Sequence, residues 1–177
     1  MATYKFLARG ALGPISGFAW PVPTRAAPGT WVQVEGTLAA CARGVHVCRT
    51  VHLAHWLHDE LWEIETGGDR IEALDCLVVR RARLTRRIDA WSEGGATRFV
   101  NASIHHASTI AGSDADDVVR GLLTDAELAV TTGYPAVAAF TAALVVAKLA
   151  GPTEEEGAYR AERAWQAAWI ERELIAG

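Results

Sequence analysis

The densest group of chemically reactive side chains in this sequence lies in residues 41–65. The segment holds two cysteines, four of the six histidines, two tryptophans and a closing group of carboxylates. Such side chains bind metals or transfer protons. His46 and Cys48 are two positions apart, so on a strand they share a face. We predict that both line a pocket as catalytic residues; the alternative is that Cys48 is a small buried apolar side chain.

The histidines that follow raise the question of a metal site. His52, His55 and His58 are spaced so that, on a helix, neighbouring rings differ by about 60° around the axis. Together with His46 or Cys48, His52 and His55 could supply three ligands to a catalytic zinc ion. The alternative is a polar helix face, and metal-binding histidines on helices are more often four residues apart. We therefore predict no metal ligands and no cofactor, with zinc as the weaker alternative.

A group of carboxylates closes this segment, with Glu63 next to Trp62. A carboxylate half-buried beside an indole can act as general acid or base. Glu63 is therefore the third predicted catalytic residue. The alternative is that Asp59, Glu60, Glu63 and Glu65 line the solvated edge of a hairpin.

Aromatic and basic side chains are the predicted ligand-binding groups. Residues 10–29 carry four Gly and four Pro, which is typical of a long ordered loop or lid. Beneath it we predict a tryptophan-lined pocket for a small molecule; the alternative is that the indoles form core. The predicted binding residues are Trp20, Trp31, Trp56, Trp62, Arg81 and Arg83.

The arginines of residues 80–87 form a stripe. On a strand, Arg81 and Arg83 share a face and could hold a phosphate bidentately. Acidic residues flank the stripe, however, and the net charge of the chain is −4. We therefore expect these arginines to pair mostly with the protein's own carboxylates, and we expect no binding to nucleic acid.

Hydrophobic periodicity predicts a strand-rich first half. Strands are expected at 3–9, 30–35, 44–48, 61–66, 70–74 and 76–90, with a helix of two to three turns at 49–58. The Gly67-Gly68-Asp69 sequence predicts a hairpin turn between 61–66 and 70–74. Residues 99–110 are ambiguous between a strand and a helix.

Helix signals dominate the rest of the chain. Ser113, Thr124 and Thr153 are predicted N-caps, and the helix 135–150 is expected to begin at its proline. This helix should pack on the helix 154–175 through Ala161, Ala164 and Ala168, with a homodimer interface as a further expectation. Strands first and helices second predict an α+β fold. Residues 1–112 would be a β-rich core with one short helix, and 113–177 a helical segment of three to four helices packed on it.

Composition restricts the class of protein. Half of the residues are hydrophobic, which is enough for a core, and the longest apolar run, at 135–147, is shorter than the roughly 20 residues of a membrane span. The first residues contain no long apolar segment of the signal-peptide type. We expect a cytoplasmic protein with reduced thiols and no membrane partner.

Residues 38–65 resemble a small domain of phage and actinobacterial proteins that carries no assigned activity. The likeness rests on Cys41, Gly44, His46 and Cys48, followed by the strand 60–65 and a glycine turn. Residues 162–170 also look like the end of actinobacterial members. A looser likeness to folds related to ADP-ribosyltransferases implies that His46 and Glu63 bind a nicotinamide nucleotide.

These observations predict a small-molecule-binding protein, with His/carboxylate acid–base catalysis in a tryptophan-lined pocket. The alternative is a non-catalytic scaffold module that docks a partner protein through its Trp-bearing C-terminal helix. A pocket containing a perturbed His or Glu would favour the enzyme. A flat apolar patch containing Trp165 and Trp169 would favour the scaffold.

Overall fold

Strands and helices separate along the chain into two units. The structure is a computed structural model that describes residues 2–113 and 115–176. The chain divides into a sheet unit, Met1–Ser92, and a helical unit, Glu93–Gly177. The predicted α+β class is confirmed. The helical part begins at Glu93 rather than at residue 113, because residues 99–110 belong to a helix.

The sheet unit contains five antiparallel strands: β1 (Tyr4–Leu7), β2 (Val32–Gln33), β3 (Val45–Val47), β4 (Glu60–Glu72) and β5 (Leu77–Arg87). They follow the order β1-β4-β5-β2, and β3 also pairs with β5. Just after β3, the backbone of Cys48 pairs with Tyr4 of β1 through two hydrogen bonds of 2.8 Å. The pairings of β1, β4, β5 and β3 therefore form a closed ring. The predicted helix after β3 is a 3-10 helix, Thr50–His55.

Apolar side chains from one face of β3, β4 and β5 form the core of this unit. The loop of residues 10–29 covers that core, since Trp20 is buried in it and the Gly29 amide donates to the Leu84 carbonyl at 2.9 Å. At position 29 a Cβ would lie 2.2 Å from the Pro21 carbonyl oxygen, so only glycine allows this close approach. The loop is thus packed on the sheet through Trp20, its one tryptophan.

The predicted hairpin at Gly67-Gly68-Asp69 is wrong. β4 runs through these residues, and its register with β5 shifts between Gly67 and Arg70. The long strand β5 offers pairing partners on both sides of the shift, so Gly68 and Asp69 are accommodated as a bulge. The chain reverses later, where the Ala73 amide donates to the Cys76 carbonyl at 3.0 Å.

The helical unit contains α1 (Glu93–Ala111), α2 (Asp117–Thr131), α3 (Pro135–Ala150) and α4 (Glu155–Ile170), followed by a π-helical turn, Glu171–Ile175. Pro135 begins α3 as predicted. The predicted caps fail: Asp116 caps α2 by accepting from the Val119 amide at 2.8 Å, and Thr124 lies inside α2. α4 begins after Glu154 without a side-chain cap.

α3 is the central helix of this unit and packs against α1, α2 and α4. The predicted packing of α3 against α4 is confirmed, but the predicted face of α4 is wrong. Ala161, Ala164 and Ala168 are exposed. The buried face instead carries polar side chains, Glu162, Arg163 and Gln166, together with Ala167 and Ile170. None of the described helices is both long and apolar enough to cross a membrane.

Candidate functional site

The structure places His46 and Cys48 on β3 and just after it. His46 is half-buried, and its Nε2 accepts a hydrogen bond of 3.1 Å from the Cys41 amide. Burial lowers the pKa of His46, and the positive charge of Lys5 lowers it further. The neutral ring is thus favoured, with Nε2 already engaged by the backbone.

The thiol of Cys48 does not suit a nucleophile. It is 2% exposed and donates to the Tyr4 carbonyl at 3.4 Å. Burial raises the pKa of Cys48 to about 12. Because the thiolate is the nucleophilic form, a side chain held as a buried thiol fits packing rather than catalysis.

Glu63 lies at the other end of the sheet from His46. Its carboxylate forms an ion pair of 3.1 Å with Arg86. On β5, Glu63 is opposite Arg86 and His46 is opposite Val78. At about 3.3 Å per residue, these positions are roughly 25 Å apart. The two side chains therefore do not share a site, and the nicotinamide-nucleotide interpretation finds no support.

The predicted indoles do not form a common pocket. Trp20 and Trp62 are buried in the core of the sheet unit, and Trp56 Nε1 donates to the Asp75 carbonyl at 2.8 Å. Two open surface cavities, of about 380 and 580 Å³, lie in the helical unit and contain none of the predicted residues. Of the predicted binding set, Trp31, Arg81 and Arg83 do come together, with each guanidinium carbon 4.7 Å from the indole centroid.

The prediction that the arginine stripe pairs mostly with internal carboxylates is confirmed. Arg83 pairs with Glu65 at 2.7 Å. The other pairs are Arg80 with Asp69, Arg86 with Glu63, and Arg87 with Glu60 and Asp89.

The described residues contain no group of three or more His, Cys, Asp or Glu side chains placed to hold a metal ion. His52 and His55 belong to the 3-10 helix, where His55 is exposed. His58 Nδ1 accepts from the Asp59 amide at 2.9 Å. His52, His55 and His58 are therefore not placed together as ligands of a zinc ion.

Sequence reasoning missed Lys5, which lies on β1 near His46. Its Nζ donates to the His46 carbonyl at 2.6 Å and lies 5.4 Å from the Trp20 ring centroid. Burial lowers the pKa of Lys5 to about 8. A lysine between Tyr4 and Phe6 in a short apolar strand was the available signal, since such a strand buries alternate side chains.

Sequence reasoning also missed a histidine–carboxylate pair in the helical unit. Nδ1 of His106, on α1, lies 2.8 Å from Oε2 of Glu162, on α4. The Glu162 side chain is 1% exposed and that of His106 is 32% exposed. The imidazole stacks on the Trp165 indole with a centroid distance of 3.9 Å and an interplanar angle of 4°. The His106 ring is therefore held at Nδ1 by Glu162 and on one face by Trp165.

Neighbouring polar groups complete this cluster. Gln166 Nε2 donates to the Ala139 carbonyl at 2.9 Å and also lies 3.4 Å from Glu162 Oε1. Arg163 donates to Gln166 Oε1 at 2.8 Å. Both oxygens of Glu162 thus have partners, as a buried carboxylate requires.

Burial raises the pKa of Glu162, while His106, Gln166 and Arg163 act in the opposite direction. A buried carboxylate with a perturbed pKa beside a partly exposed histidine is a common feature of catalytic sites. When Glu162 is ionised, Nδ1 of His106 must carry the hydrogen, because a carboxylate only accepts. In a neutral His106 ring the lone pair is then on Nε2, which has no hydrogen-bond partner among the described residues.

The sequence contained part of this signal. Glu162 and Gln166 follow one stripe of α4 with Tyr159 and Trp169, so a polar pair was visible within an otherwise aromatic face. His106 had no comparable signal, because its partner lies 56 positions away. Comparison of the chain with protein-family models, curated proteins and solved structures gave no match.

Proposed function

We propose that the protein binds a small molecule and acts on it by acid–base catalysis, with His106 as the catalytic group. The observation that carries this proposal is the 2.8 Å contact between His106 Nδ1 and the buried Glu162 carboxylate. In this proposal the His106–Glu162 pair takes the place of His46, Cys48 and Glu63, the catalytic residues predicted from the sequence.

Each residue of the pair has a distinct role in this proposal. Glu162 is a positioning residue that holds the hydrogen on Nδ1 and fixes the orientation of the ring. His106 Nε2 is left to accept or donate a proton at the substrate. Trp165 restricts the ring to one plane and covers one of its faces.

The aromatic groups between α1 and α4 provide a surface for the substrate. The rings of Phe99, on α1, and Trp169, on α4, have their centroids 5.7 Å apart. Phe99 lies seven residues before His106 on α1. Trp165 and Trp169 are both partly exposed. A ligand with an apolar or planar portion could therefore rest on the exposed parts of these two indoles while Nε2 reaches its polar group.

The scaffold alternative has less support. It would use the exposed parts of Trp165 and Trp169, but it gives no role to the contacts of these indoles with His106 and Phe99 on α1. The acid–base interpretation uses these same contacts, so we prefer it.

A turnover screen tests this function. Wild type, His106→Asn and Glu162→Gln would be incubated with chromogenic esters, phosphoesters, amides and glycosides, and with a mixture of polar metabolites followed by mass spectrometry. His105→Asn is the matched control, because it removes an adjacent, exposed histidine from the same helix.

We expect a wild-type activity that falls about 10²–10⁴-fold in His106→Asn, as loss of a general acid–base group does. Glu162→Gln should lower the activity and change its pH profile, and His105→Asn should retain it. Turnover that is equal in wild type and His106→Asn would refute the proposal, as would the absence of any wild-type-dependent turnover.

A further inference from the structure

A second cluster, in the sheet unit, consists of Trp31, Arg81 and Arg83. Trp31 precedes β2, which pairs with β5 so that Gln33 is opposite Arg81. Both guanidinium groups lie against the same indole, 4.7 Å from its centroid. Cation–π contacts of this kind hold a guanidinium flat on the ring and limit its rotation.

The charge of this cluster is only partly compensated. Arg83 is neutralised by Glu65, and four of the five arginines between residues 80 and 87 have a carboxylate partner. Arg81 is the one arginine of the stripe with no carboxylate partner among the described residues. It is exposed, and acidic side chains lie on both sides of the stripe in the sequence. Its positive charge is therefore available to a ligand.

The Arg81 side chain also lies close over the backbone of β4. A Cβ at position 67 would lie 2.9 Å from Arg81 Nε, so the glycine there allows the side chain to lie close over the strand. Trp31 Nε1 adds a further donor, because it has no acceptor among the described residues. Three other indole N–H groups of this unit donate to carbonyl or carboxylate oxygens.

We propose that this cluster binds the anionic group of a small molecule, a carboxylate or a phosphate. The Arg81 guanidinium offers two parallel N–H donors that match the spacing of oxygens in either group. Trp31 Nε1 donates a further hydrogen bond, and Arg83 packs against the same indole. This site lies in the sheet unit and is independent of the His106–Glu162 pair.

Nitrogen-15 NMR tests the proposal at the groups concerned. Sodium phosphate and sodium acetate would be titrated separately at constant ionic strength, with sodium chloride as the balance. The Arg81 Nε–H and Trp31 Nε1–H signals, identified from Arg81→Gln and Trp31→Phe, would be followed. Arg86→Gln is the matched control, since it removes an exposed arginine of the same strand that pairs with Glu63.

We expect saturable shifts of both signals with a Kd on the order of millimolar, as for a weak charge-assisted contact at an exposed site. Arg81→Gln should weaken binding about tenfold or more, measured at Trp31, and Arg86→Gln should leave it unchanged. A response to phosphate alone or to acetate alone identifies the anion class. Shifts no larger than those in chloride, or equal weakening in Arg86→Gln, would overturn the proposal.

Discussion

Replacement of Lys5 by methionine isolates the energetic effect of one buried amine. The folded protein lowers the pKa of Lys5 from 10.5 to about 8, through burial. The folded state therefore disfavours the charged form, and protonation of Lys5 reduces stability at neutral pH. This penalty is fully present below pH 8 and disappears as the pH rises through the unfolded pKa.

The difference in pKa corresponds to about 3 kcal/mol of folding free energy. Lys5 retains some exposure to solvent, which screens part of this effect, so we expect about 1–3 kcal/mol. Lys5→Met cannot titrate and has no such dependence. The stability of wild type relative to Lys5→Met should therefore increase by this amount between pH 7 and pH 10.5.

Urea denaturation of both proteins at intervals across this pH range would give the difference in their free energies of unfolding. Contributions from the other ionisable groups are common to both proteins and cancel in this difference. Lys148→Met is the control for loss of a lysine charge, since Lys148 is an exposed lysine paired with Glu155. A difference between wild type and Lys5→Met that stays constant within about 0.5 kcal/mol, below the range expected for burial, would refute the reasoning.

Three further predictions concern other ionisable groups. Burial opposes ionisation of Glu60, but hydrogen bonds from Gly10, Trp62 and Ala11, together with the charge of Arg87, hold its pKa below the usual value. Glu60→Gln should therefore lower the free energy of unfolding by about 1–3 kcal/mol in urea denaturation at pH 7. This loss should become smaller as the pH falls through the pKa of Glu60. Cys41 is exposed, so intact-mass analysis after brief native iodoacetamide treatment should show its alkylation, with Cys48 unmodified; equal labelling would contradict the burial of Cys48. Because burial raises the pKa of Glu162, wild type should lose stability relative to Glu162→Gln as the pH rises through that pKa, and thermal melts from pH 4 to 8 that run parallel would contradict this.

Strands and helices that are recognisable from their own residues could be predicted from the sequence. Strands β1 and β3 are short apolar or alternating runs, and β5 is a longer one. Helix α3 begins at a proline and ends before a glycine. Residues 99–110 of α1 are ambiguous in the sequence because they contain several β-branched residues, which are poor helix formers. Packing overrides this weak propensity, since Phe99, Ser103 and Ala107 recur every four residues and are buried.

The bulge in β4 shows a second limit. A Gly-Gly-Asp sequence favours a turn when only its own residues are considered. Here β5 extends past it and supplies backbone partners on both sides, so continued pairing is preferred. Trp31, Arg81 and Arg83 could be predicted as a group of binding residues, but their contacts depend on the pairing of β2 with β5.

α4 shows why the His106–Glu162 pair escaped prediction. Apolar patterning placed alanines against α3, yet the buried face carries Glu162, Arg163 and Gln166 together with Ala167 and Ile170. Buried charges reduce stability unless they are paired, and replacing a buried pair by apolar residues is often neutral or stabilising. The buried charges of α4 depart from the rule that cores are apolar, and they do so at the His106–Glu162 pair, where we propose acid–base catalysis. We expect the double variant His106→Leu/Glu162→Leu to melt at or above the wild-type temperature while losing turnover. A double variant that fails to fold cooperatively would instead show that the pair is needed for packing of α1 against α4.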